Sequence, residues 1–154
     1  MSTAAARPEV DYVASAQRHH RDAELLLSHG RTANASQLWG LTLECGLKAI
    51  LLAAGLPKDG KGSLKREDRF REHLPLLADR VDILGHLIPD GRLAHRYFGL
   101  LPGRTAFATW EVDQRYWHED ALAALPAATL PAWQAAAAEV AHMLDEALLD
   151  GVLP

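Results

Sequence analysis

One stretch constrains this chain more than any other: residues 33–55, ANASQLWGLTLECGLKAILLAAG. Apolar, helix-favouring residues cover nearly every face of it, and only Glu44 and Lys48 carry charge. A helix without a polar face belongs in the middle of a bundle, not on its surface. Residues four apart on a helix point the same way, about 40° apart. The pair therefore predicts one polar spot inside an apolar interior, where charges must find partners. The run is long enough to span a bilayer. It carries that ion pair, however, and has neither companion spans nor aromatic belts, so it reads as core and no membrane contact is expected.

The remaining sequence agrees with an all-α fold, an antiparallel bundle of four main helices plus a short extra helix. With 154 residues, 49% hydrophobic and 23% charged, the chain has the size and balance of one globular domain. Residues 1–8 read as a flexible N-terminal tail and residues 9–150 as the single domain. A net charge of −4 argues against a dedicated nucleic-acid binder, which is usually basic. The lone Cys45 has no partner for an internal disulfide and fits a reducing cytoplasm. The opening residues, MSTAAARPEVD, lack an apolar run of signal-peptide length.

Periodicity places the helices. Tyr12, Val13, Ala16, Ala23, Leu26 and Leu27 recur at helical spacing in a first helix that Gly30 ends. Asn34 or Ser36 is the expected cap of the second, which stops at Gly55-Leu-Pro57. The polar residues 57–68 read as the most mobile loop. A third helix starts near Leu74-Pro75, with Leu74, Leu77, Val81, Leu84 and Ile88 as its seam. Residues 92–101 read as a short helix, and 102–113 as irregular or briefly extended because Thr105–Trp110 carries strand-like residues. The last helix follows Pro131, with Trp133, Ala137, Val140, Leu144 and Ala147 inward.

Most chemical motifs fail on spacing. Residues 55–63 nearly spell a phosphate-binding loop, but Gly62 stands where a hydroxyl is needed and no βαβ unit surrounds it. Glu139-Val-Ala-His142 matches half of a di-iron motif, and its partners are missing. No HExxH, HxxxH or CxxC is present, so no metal and no cofactor are expected. Cys45 lacks an electropositive setting and reads as core. Tyr97, Phe98 and Trp110 lie outside the regular seams, which points to an interface and a symmetric homodimer.

Four stretches taken in order resemble the HEPN family. They are Ala23-Glu-Leu-Leu-Leu27, residues 35–55 with Glu44-Cys-Gly-Leu-Lys48-Ala-Ile-Leu, His73-Leu-Pro-Leu-Leu, and Trp110-Glu-Val-Asp-Gln-Arg115-Tyr116. The resemblance runs over most of residues 15–117. It implies a small prokaryotic bundle of four or five helices that dimerises and is often encoded beside a nucleotidyltransferase. Some members are ribonuclease toxins of toxin–antitoxin systems with an R-x4-6-H motif. Others lack that motif and serve as binding or partner modules.

Here the Arg–His spacings fit poorly. Arg66 and His73 have six residues between them and Arg80 and His86 have five, but neither pair lies late in the chain, where the family places the motif. Arg80 and His86 also diverge on one helix. Arg115 and His118 are late but too close, and they are the residues to test if RNA is cleaved. The expected function is thus a non-catalytic binding or partner module. Its nucleotide or RNA ligand and nucleotidyltransferase partner follow from the resemblance. The alternatives are a metal-independent ribonuclease and a purely structural oligomer. Glu44, Lys48, His73, Arg115 and Tyr116 form the expected polar cluster. It is either a satisfied network fixing helix register or an anion cleft with Lys48, His73 and Arg115 as donors.

Overall fold

The computed structural model describes residues 8–154, so all but Pro8 of the expected tail lies outside the described residues. Helix α1 (Tyr12–Ser28) starts where the Asp11 carboxylate accepts the Ala14 N–H at 2.9 Å. It ends where Gly30 turns to φ 71°, and the N–H of Arg31 reaches back to the Leu26 carbonyl. Helix α2 (Thr32–Ala53) resumes at once, without a side-chain cap. Asn34 and Ser36, the expected caps, therefore lie inside it. Ser36 instead donates to the Ala33 carbonyl.

So short a link makes α1 and α2 an antiparallel hairpin. Glu24 meets Trp39 near the turn, while Tyr12 lies against Lys48 and Ser63 at the far end. Helix α6 (Thr129–Leu149) packs on both. Gln134 at its start donates to Glu24, so α6 runs opposite to α1 and along α2. Its predicted seam is fully buried, from Trp133 to Ala147. The helix begins two residues before Pro131, which falls in the first turn where its missing N–H costs nothing.

Three long helices, not four, carry the bundle. The third expected helix is the eight-residue α3 (Leu76–Ile83) followed by a 3₁₀ turn (Gly85–Leu87). Its seam still points inward, with Leu74, Leu77, Val81 and Ile88 buried. Helix α4 (Gly91–Phe98) is capped by Asp90, and α5 (Glu119–Ala123) by His118. Among the described residues there is no strand, only one isolated bridge between Lys58 and Leu64.

Two segments depart from expectation. Residues 57–68 form a built turn: Asp59 accepts from the N–H groups of Lys61 and Ser63, and Tyr12 and Ser63 join hydroxyls at 2.7 Å. Residues 102–109 are 3₁₀ helix rather than extended. Among the described residues no neighbouring strand exists to use their β propensity, and their aromatic residues are consumed by packing. Phe107 stacks on Trp133 at 5.9 Å, and Glu139 of α6 accepts the Gly103 N–H at 2.9 Å.

The aromatic trio expected at an interface is in the core. Trp110 is 0% exposed and Tyr97 1%, and Phe98 is also buried. Trp110 fills a notch at Gly40, where a Cβ would sit 2.0 Å from the ring, and its Nε1 donates to the Ser36 carbonyl at 3.0 Å. The Tyr97 hydroxyl donates to Asp150 at 2.6 Å. A second notch, Gly46, admits Val140 and lets α2 and α6 approach closely.

Candidate functional site

Glu44 and Lys48 lie on the turns of α2 that face α1 and the entry to α3. They are 5% and 7% exposed, and Lys48 Nζ stands 2.9 Å from Glu44 Oε1. Their shared stripe is where the spacing put it. His73 comes from the segment leading into α3. Its Nδ1 lies 3.0 Å from Oε1 and 3.1 Å from Oε2 of Glu44. The Leu74 N–H adds a weaker bond to Oε2 at 3.4 Å. Every partner of the carboxylate is a donor, so Nδ1 carries a proton, and in the neutral ring Nε2 is the bare nitrogen.

The two sides of this cluster differ. Glu44 and Lys48 are sealed in, whereas the His73 side chain is 62% exposed. Lys48 also rests 5.9 Å from the centroid of the Tyr12 ring. His19, on α1, is close enough to Glu44 to feel its charge. Burial lowers the His19 pKa, with Arg18 adding to the effect and Asp22 and Glu44 opposing it. Next door, burial pushes the Cys45 thiol up to about 11, which keeps it protonated and inert.

Arg115 and Tyr116 do not join the cluster. They belong to a 3₁₀ turn (Val112–Tyr116) held against the first half of α2, where Gln37 donates to the Glu111 carbonyl. Gln37 precedes Glu44 by about 10 Å along the helix. Gln114 is the buried residue of that turn, and Val112 packs partly against the core. Tyr116 is 74% exposed, and the Arg115 guanidinium covers its ring at 4.7 Å. With Arg115 absent, the expected anion cleft loses a donor, and Lys48 is already committed to Glu44.

The Arg–His pairs also stay apart in role. His118 is occupied at the start of α5, where its Nδ1 accepts the Asp120 N–H at 3.2 Å. Arg80 reaches back towards the start of its helix, to Glu72 at 3.0 Å and to the Arg69 carbonyl, while His86 is exposed in the next turn. His73 is held by Glu44, and Arg66 is exposed with no recorded hydrogen bond. No group of three or more metal-ligating side chains assembles among the described residues. None of their helices is long and apolar enough to cross a membrane.

Sequence reasoning missed Tyr12 and His19 as neighbours of the cluster. Both sit on α1 seven residues apart, a two-turn spacing that puts them on one face towards α2. No family model, no curated protein and no solved structure matches this chain.

Proposed function

We propose that the chain is a non-catalytic, HEPN-like binding or partner module that acts as a cytoplasmic homodimer. Its ligand class is nucleotide or RNA, and its partner is a nucleotidyltransferase. One observation carries the non-catalytic reading: in each of the three spaced Arg–His pairs, Arg66/His73, Arg80/His86 and Arg115/His118, at least one member is engaged by another group. A metal-free ribonuclease needs a histidine as acid or base beside a cation that stabilises the phosphorane. Arg115 lies on its own tyrosine, His118 caps a helix, and Arg80 is tied to Glu72. The Glu44–Lys48–His73 cluster then acts as scaffold, pinning the entry of α3 to the middle of α2. The nucleotide, partner and dimer parts rest on the resemblance to HEPN proteins.

The test is incubation of the purified protein with single-stranded RNA in chelator. The expected outcome is intact RNA. Cleavage that disappears in Arg115→Ala or His118→Ala would replace the module with a ribonuclease acting across a dimer.

A further inference from the structure

We infer that His73 is a phosphoryl-acceptor site, a place where the chain is modified at Nε2. This concerns chemistry done to the chain rather than by it, so it stands apart from the module reading. All eight histidines lie in the described residues. His73 alone has a recorded bond to a buried carboxylate. His29 holds the Leu25 carbonyl, and His118 pairs only with the exposed Asp120. A carboxylate that holds Nδ1–H fixes the tautomer and aims the Nε2 lone pair outward. It also stabilises the imidazolium that forms once Nε2 has reacted. Glu44 is itself locked in place by Lys48 at 2.9 Å, so the orienting group does not wander. The exposed ring lets a donor approach without opening the bundle.

The Nε2 lone pair attacks phosphorus of a phosphoryl donor. The N–P bond forms as the bond to the leaving group breaks, and the leaving group departs with that electron pair. Nδ1 keeps its proton, and the positive ring lies against Glu44. The ligand class is a small phosphoryl donor, and phosphoramidate, which releases ammonia, is the probe.

The full chain is treated with phosphoramidate, and each histidine is followed by peptide mass mapping and phosphorus NMR. His73 is expected to react at Nε2, faster than the other seven by about tenfold, the rate equivalent of one charge-assisted hydrogen bond to the imidazolium. Glu44→Gln, which keeps an acceptor but loses the charge, removes that advantage and leaves the six histidines other than His73 and His19 unchanged. Equal rates at all exposed histidines, or reaction of His73 at Nδ1, overturn the proposal. Should Glu44→Gln fail to fold, nitrogen NMR of the parent decides. A protonated Nδ1 and bare Nε2 at His73 support the site, and the opposite tautomer refutes it.

Discussion

Removing the Glu44 carboxylate strands Lys48 without its ion partner and the Leu74 N–H without an acceptor, both in the interior. Glu44→Ala should therefore lower stability by about 3 kcal/mol. Glu44→Gln should cost roughly half of that, because a neutral acceptor remains. Urea denaturation checks both, and a Glu44→Ala midpoint equal to the parent's would show that the side chain is solvated. Cys45 gives a pH signature. The folded state keeps a thiol proton, with burial holding its pKa at about 11, that the unfolded chain releases near 9.0. The unfolded state thus binds fewer protons in that window, and stability falls as pH rises through it. Cys45→Ala should flatten the fall in denaturation curves taken across the window. The stripe of Glu44 and Lys48 was legible from a four-residue spacing alone. The distance of Arg115 from it was not, because chain order says nothing about which half of α2 a distant turn meets.

At the scale of elements, the long helices were legible and the short ones were not. The seam of α6 repeats five times at helical spacing and needs no context to be read. The 3₁₀ segment (Pro102–Thr109) has strand-like residues, and tertiary contacts decide its form. Trp110 shows why: its place is made by the missing side chain at Gly40, 70 residues earlier, and no local window holds both. Gly40→Ala would put a Cβ 2.0 Å from the indole. It should destabilise by about 2–3 kcal/mol and displace the ring, seen as a changed near-UV dichroism spectrum. A spectrum and melting point like the parent's would mean the notch has slack. Glu139→Ala frees the Gly103 N–H and should cost about 1 kcal/mol, the usual worth of a cap, in the same melts.

For the molecule as a whole, burial of Tyr97, Phe98 and Trp110 removes the aromatic argument for a dimer and leaves the resemblance to HEPN proteins. The proposed dimer must use other apolar surface. Ile83 and Leu149 are the most exposed large aliphatic side chains among the described residues, and Leu87, four residues after Ile83, is also exposed. Light scattering at micromolar concentration should report twice the 16.8 kDa chain mass, and Ile83→Asp should return it to one. A single-chain mass in the parent would remove the homodimer. The order of the long helices has a further consequence, for birth rather than architecture. The α1–α2 hairpin closes across three residues and can form early in synthesis. Trp133, Val140 and Leu144, which cover it, belong to α6. At ribosomal speeds of about 5–20 residues per second, the hairpin waits roughly 5–20 s for them with its greasy flank bare. That flank is what a nascent-chain chaperone would meet, and protease pulses on stalled chains should find it open until α6 clears the exit tunnel.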